Sequence, residues 1–262
     1  MIEGTVSSEY IKYIKPERIF GNLYFVGIRA VCTHLIDTGD GLIIIDPGCS
    51  EGLPIILENI RAIGFEPTDI KYIIATHAHY DHMNSVGDLA KMTGAKTFIG
   101  GGDLPLLTGE TYHYPIRSFT PDVLLSDGDV ISLGNTEIYC LSTPGHTDGT
   151  TSFFFDVTDG ERTYRAGLFG GAGRNTLRRG FMAKHGIPKE NRQKMANSIK
   201  RLMDERVEIF LGNHLTDNKT EEKLKAIRDG GENPFLSSDG EEWRTYLSRR
   251  LAMIEKMIEE DR

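Results

Sequence analysis

Between residues 75 and 87 the chain reads "ATHAHYDHMNSVG", which sets His77, His79, Asp81 and His82 within six positions. On an extended or turning backbone, residues two apart project to the same side. His77 and His79 can therefore reach one ion, and Asp81 with His82 a neighbouring one. Imidazole nitrogens joined by one carboxylate oxygen suit Zn²⁺, and the motif holds no soft thiolate. The competing reading is a metal-free hydrogen-bonded cluster. Several imidazoles around one carboxylate would repel once protonated and would need many partners if buried neutral. A metal ion resolves the conflict by taking the lone pairs.

The motif alone cannot complete tetrahedral coordination, so other donors must come from elsewhere in the chain. "STPGHTDGTTS" places His146 after an apolar stretch and between two glycines, and "EIFLGNHLTDN" places His214 just past another short apolar run. Both sit where a strand should end in a loop, the position at which α/β sheets build their sites. Five of the eight histidines then have a place. His34, His113 and His185 have no such context and are expected to pack or face solvent.

The elements that must carry these residues are also legible. "LIIID" reads as a buried strand ending at Asp46-Pro47-Gly48, and "IKYIIAT" as another that ends at the histidine motif. Between them "EGLPIILENIRAIG" sets Ile55, Ile56, Ile60 and Ile63 at helical spacing before Gly64, a residue suited to a left-handed cap. A helix in "SVGDLAKMTG", a strand in "KTFIG" and a small helix around "DLPLLTG" follow. The middle of the chain turns to strands, with a hairpin expected around "SDGD" and "LGN" and further strands in "TTSFFFDV" and "RTYRAGLFG". The last third returns to helices around one short strand, "VEIFLG". It closes on an amphipathic helix with Leu247, Leu251, Ile254 and Ile258 on one face, expected to pack on its own domain. Gly167 to Arg179 is expected to be an irregular loop. Alternating strands and helices argue for sheets covered by helices, an α/β class.

With 262 residues, 39% of them hydrophobic, the chain suits a single domain spanning residues 1–262. A net charge of −8 argues against a nucleic-acid partner. No apolar run approaches the ~20 residues that span a bilayer. The N-terminus lacks the basic and apolar regions of a secretory signal, which suggests a cytoplasmic protein, or a secreted one whose leader has been removed. Cys32, Cys49 and Cys140 are odd in number and lack a CxxC pair, so buried free thiols are expected.

Taken together, "LIDTGDGLIIIDPG", "ATHAHYDH", "LSDGDVISLG", "LSTPGHTDGTTSF" and "IFLGNH" resemble, in order and over nearly the whole chain, the metallo-β-lactamase superfamily. The resemblance implies a four-layer αβ/βα sandwich with its metals in a cleft at the sheet edges. It implies that His77, His79 and His146 bind a first zinc and Asp81, His82 and His214 a second, while Asp46 orients the motif loop beneath them. Many family hydrolases carry an aspartate that bridges both metals, usually as "GD" after an apolar strand. Here that strand end reads "RAGLFGGAG", with no Asp, Glu or Cys from Ala166 to Gly173. The pattern is similar to the third subclass of true metallo-β-lactamases, which use no bridging carboxylate and no cysteine. With fewer anionic ligands, the second zinc is expected to be the more weakly held.

The expected chemistry is hydrolysis of a small carbonyl substrate, most like a β-lactam amide. Metal-activated water attacks, and Asp81 is the catalytic residue that holds it. The alternative is a cytoplasmic metallo-hydrolase of lactones, thioesters or other small carbonyl compounds with little β-lactamase activity. Iron-dependent redox enzymes on this fold place a glutamate where His79 stands, or rely on the aspartate that is missing here. Arg174, Asn175 and Thr176, in the loop after the strand that should reach the site, are the candidate contacts for a substrate carboxylate. Tyr80 either lines the cleft or packs under it.

Overall fold

Leu42–Ile45 forms a strand whose side chains divide between two cores: Leu42 and Ile44 pack on one face, Ile43 and Ile45 on the other. A strand that is apolar on both faces has to be covered on both. The computed structural model, which describes residues 9–108, 116–237 and 239–260, meets that demand with two packed sheets and two outer helical layers.

The first sheet runs in chain order: β1 (Glu17–Phe20), β2 (Leu23–Phe25), β3 (His34–Asp37), β4 (Leu42–Ile45), β5 (Ile70–Ala75), β6 (Lys96–Gly100) and β7 (Val123–Leu125). Pairing is antiparallel from β1 to β4 and parallel from β4 to β7. The second sheet has the order β12-β11-β10-β9-β8, formed by β8 (Val130–Leu133), β9 (Thr136–Ser142), β10 (Thr151–Thr158), β11 (Thr163–Leu168) and β12 (Ile209–Leu211). Helix α1 (Leu53–Ala62) has Leu53, Ile56 and Ile60 on the outer core of the first sheet, where α3 (Val86–Thr93) adds Val86 and Leu89; the short α2 (Tyr80–Met83) lies between them in sequence. The outer core of the second sheet is built with α4 (Arg179–His185), α5 (Glu190–Leu202) and α7 (Glu241–Glu259). Helix α6 (Thr220–Arg228) places Leu224 in the core between the sheets.

The "FFF" run in β10 shows the layering most clearly. Phe153 and Phe155 enter the core between the sheets, and Phe154 points outward to Trp243 of α7, at 6.0 Å between ring centroids. Truncating any of these to alanine would cost ~3–5 kcal/mol in a closed core. The final helix packs on its own chain as its spacing predicts, with Leu247 and Ile254 buried and Leu251 and Ile258 against the same core.

Three local expectations are changed or sharpened. The "SDGD" segment is not a hairpin turn, because β7 pairs with β6 in the first sheet while β8 pairs with β9 in the second; only "LGN" closes a hairpin. Of the extended or turning backbone expected for the histidine motif, its second half takes the turn, as helix α2. The glycine-rich loop is shorter than expected, since it contains a 3-10 turn at Asn175–Leu177 and gives way to α4. His34 is buried on β3 with Nε2 3.0 Å from the Gly212 carbonyl, and the His185 ring lies against Phe181. His113 lies outside the described residues. All three cysteines are buried free thiols.

Candidate metal centre

β4 and β5 lie side by side and parallel, so the residues that follow them emerge at one edge. After β4, Asp46 adopts φ 53, a left-handed conformation that a non-glycine residue holds only when its surroundings demand it. That conformation turns its carboxylate under the segment leaving β5. Oδ1 accepts the Thr76 N–H at 2.7 Å; Oδ2 accepts the Thr76 hydroxyl at 2.8 Å, His82 Nδ1 at 2.7 Å and Asn213 Nδ2 at 3.3 Å. Asp46 is completely buried, and these donors compensate its desolvation.

The same bonds fix the proton on each imidazole. His82 Nδ1 faces a carboxylate, His146 Nδ1 the Gly173 carbonyl at 2.9 Å, and His214 Nδ1 the Ala30 carbonyl at 2.8 Å. Those oxygens only accept, so each Nδ1 must carry the hydrogen. His77 Nδ1 lies 3.0 Å from the Thr76 hydroxyl, which already donates to Asp46 and so accepts here. In all four residues the Nε2 lone pair is left for another partner. For His77 that nitrogen is buried without any hydrogen bond, an orphan that a metal ion would satisfy.

The five histidines and Asp81 gather as two groups of three. Donor atoms of His77, His79 and His146 lie within 4.8 Å of one another, as do those of Asp81, His82 and His214. Ring centroids of the first group are 4.6–4.7 Å apart, and the His77 and His82 rings, 4.1 Å apart, join the groups. In the second group Asp81 Oδ2 stands 3.6 Å from His82 Nε2 and 3.8 Å from His214 Nε2.

Electrostatics separates the two groups. Burial, reinforced by repulsion from His82 and the other imidazoles, pushes His77 well below its usual pKa. Burial likewise brings His146 down to about 4. In His82 burial also acts downward, but the carboxylates of Asp81 and Asp46 outweigh it and hold the imidazole above its usual value. For Asp81 burial acts upward, and His82 and His214 overcome it. Burial thus favours the neutral imidazole at His77 and His146, whereas the neighbouring carboxylates favour the charged form at His82 in the metal-free protein.

The absence of a bridging carboxylate has a structural counterpart. The chain leaving β11 runs as glycine against the His146 ring: a Cβ at Gly171 would lie 2.8 Å from His146 Cδ2. Backbone occupies that wall, and the Gly173 carbonyl orients His146. On the other side, Asp217 Oδ2 accepts the N–H groups of Asn213 and His214, and its Oδ1 is held by Tyr246 and Arg250 of α7.

A cleft of about 530 Å³ opens over both groups, lined in part by Arg174, Asn175 and Thr176. Arg174 and Asn175 are exposed there, whereas Thr176 is buried with its hydroxyl 3.4 Å from His146 Nδ1. Tyr80 does both things expected of it, lining the cleft while its hydroxyl bonds Glu51. Sequence reasoning missed Arg178 and Arg250, which share the wall, and the supporting Thr76, Asp103, Asn213 and Asp217. Thr76 and Asn213 adjoin motif histidines, a signal that could have flagged them; Asp103 and Arg250 had none.

This fold and this site define a metallo-hydrolase, and the comparisons agree. Residues 26–159 match the model of the metallo-β-lactamase superfamily, and the chain belongs to that family. It superposes on BJP-1, a subclass B3 metallo-β-lactamase of Bradyrhizobium japonicum, with TM-score 0.87 and 27% identity, covering 97% of each chain. The class B3 di-zinc metallo-β-lactamase LRA-12 from an Alaskan soil metagenome gives TM-score 0.83 and 29% identity over 97% of this chain and 98% of that one. In sequence, 87 residues are 36% identical to the probable polyketide biosynthesis zinc-dependent hydrolase PksB of Bacillus subtilis, over 33% of this chain and 35% of that protein. Among the described residues no helix is long and apolar enough to cross a membrane.

Proposed function

We propose that this chain is a two-zinc hydrolase of the β-lactamase type, opening the amide of a β-lactam or a closely similar strained carbonyl compound. The observation that carries the reading is the pair of adjoining three-donor groups, built from imidazoles and one carboxylate, with no thiolate or bridging acid between them among the described residues. The donor set fits zinc: four imidazoles have their Nδ1 engaged, and the buried His77 Nε2 has no other partner. His77, His79 and His146 would hold one ion, and Asp81, His82 and His214 the second. Bound there, zinc supplies Lewis acidity and lowers the pKa of water to roughly 7. The chain's own residues do the rest.

Asp81, partly exposed to the cleft between His82 and His214, accepts a hydrogen bond from the attacking water and fixes its direction. Asp46 keeps the His82 proton on Nδ1, away from the reacting face. Arg174, with Asn175 and the Thr176 hydroxyl at the base of the wall, meets the substrate carboxylate, and Arg178 and Arg250 extend that cationic side. A second reading, hydrolysis of larger lactones or thioesters, is favoured by the cleft's continuation past His214 into a groove of about 830 Å³ along Ala30 and Lys219.

Zinc-dependent turnover of a chromogenic cephalosporin, with His82→Ala as the blank, tests the first reading. A kcat/KM at or above ~10⁴ M⁻¹s⁻¹ supports it. Turnover no better than the blank, with rapid hydrolysis of a lactone or thioester panel, overturns it in favour of the second.

A further inference from the structure

We propose that Asp103 is a positioning residue of the three-histidine group, setting the affinity with which His77, His79 and His146 hold a metal. The proposal rests on the reading of those histidines as ligands. Asp103 lies after β6 in the 3-10 stretch Gly101–Thr108, completely buried and remote in sequence from every motif histidine. Its Oδ2 accepts the Ala78 N–H at 2.7 Å and the Thr147 hydroxyl at 2.9 Å, and its Oδ1 accepts the Gly149 N–H at 2.7 Å. Ala78 is the residue between His77 and His79, and Thr147 is the residue after His146. One carboxylate therefore ties together the two loops that must meet for this group to exist.

The packing shows how closely the loops are drawn in. A Cβ at Gly149 would lie 2.3 Å from the Asp103 nitrogen and 2.6 Å from its Cγ, so only glycine lets the His146 loop reach the carboxylate. Burial outweighs its three hydrogen bonds and pushes the carboxyl up to about 6. The three donors would in turn be left unsatisfied without it. What it contributes is geometry: two backbone N–H groups and one hydroxyl converge on a single group, and imidazole rings 4.6–4.7 Å apart cannot close on an ion if either loop drifts.

The two buried carboxylates differ in reach: Asp46 bears on both groups, touching the first through the Thr76 hydroxyl that engages His77 Nδ1. Asp46 bonds His82 directly and reaches the residue before His214 through Asn213. The hydrogen bonds of Asp103 go to neither the helix that carries Asp81 and His82 nor the loop that carries His214. The direct hydrogen bonds of Asp103 thus serve the three-histidine group alone.

The test isolates one group at a time in the full chain. His82→Ala leaves the three-histidine group, and His146→Ala leaves the other; Asp103→Asn is added to each, and zinc affinity is read by competition with a chromophoric chelator. An asparagine keeps the size but turns an NH₂ toward one of the three donors. The expected result is zinc binding weakened 10- to 100-fold in the His82→Ala background and changed less than threefold in the His146→Ala background. Thermal unfolding of metal-free Asp103→Asn checks that the fold persists. No loss in the first background, or equal loss in both, overturns the proposal and leaves Asp103 a purely structural residue. If His82→Ala itself binds no zinc while folded, the ligand reading and the proposal fall together.

Discussion

Asp46→Asn is the substitution whose consequence follows most directly from the geometry, because it changes one atom of a fully buried group. Asp46 Oδ1 accepts the Thr76 N–H at 2.7 Å, a backbone donor that cannot change its role. The amide oxygen of the variant therefore stays there, and its NH₂ replaces Oδ2. That NH₂ then faces His82 Nδ1, whose distance to Oδ2 is 2.7 Å. Two N–H groups cannot share that space, so His82 must accept at Nδ1 and move its proton to Nε2, the nitrogen 3.6 Å from Asp81 Oδ2. The lone pair meant for a metal is lost unless the tautomer is restored against an unsatisfied buried donor, which costs about 1–3 kcal/mol. The second zinc should bind ~10- to 100-fold more weakly, or about 1.4–2.7 kcal/mol. With one of its two holding carboxylates neutralised, His82 should also titrate lower in metal-free protein. A two-site chelator titration and imidazole nitrogen shifts by NMR would read both effects. Binding of the second zinc within threefold of the parent, with His82 still protonated at Nδ1, would refute the reasoning.

Gly171→Ala puts a Cβ 2.8 Å from His146 Cδ2, so the ring must rotate away from its group; tenfold or greater loss of kcat/KM with an almost unchanged melting temperature is expected from steady-state kinetics and calorimetry. Asp217→Ala strips the acceptor from the Asn213 and His214 N–H groups and releases Tyr246 and Arg250; urea unfolding should show a loss of roughly 1–3 kcal/mol, with weaker binding of the second zinc. Metal-free protein should lose stability as the pH falls from about 6.5 to about 4. His146 binds its proton only near 4 when folded but near 6.5 when unfolded, so the unfolded chain takes up the proton first. The loss is on the order of 3 kcal/mol, read from urea midpoints across that range; saturating zinc should move the loss to lower pH, and an apo midpoint flat across it would refute the assignment.

Much of this arrangement was readable before any coordinates. The two-residue spacing of His77 and His79 and the crowding of Asp81 with His82 announced a metal motif, because few other roles can satisfy so many imidazoles. The buried strands were equally plain: the unbroken apolar stretch Leu42–Ile45 could only be a strand covered on both faces, and it is. The hairpin expected at "SDGD" failed for an instructive reason. Turn residues specify that the chain bends, but not which sheet each flanking strand joins, and β7 and β8 part company there.

The sequence by itself determined the kinds of donor, their order along the chain and the lack of an acid between Ala166 and Gly173, since these depend only on side-chain chemistry and local spacing. The tertiary structure decided that His77, His82, His146 and His214 are each engaged at Nδ1, because that depends on partners such as Ala30 and Gly173, distant in sequence from the rings they hold. It also decided that Asp103 and Asp217 support the site and that Arg250 lines its wall. A lone aspartate after a glycine pair, or an arginine on a final helix, looks in sequence like any surface charge. Only the folded chain buries Asp103 among donors from the two loops that carry His77, His79 and His146.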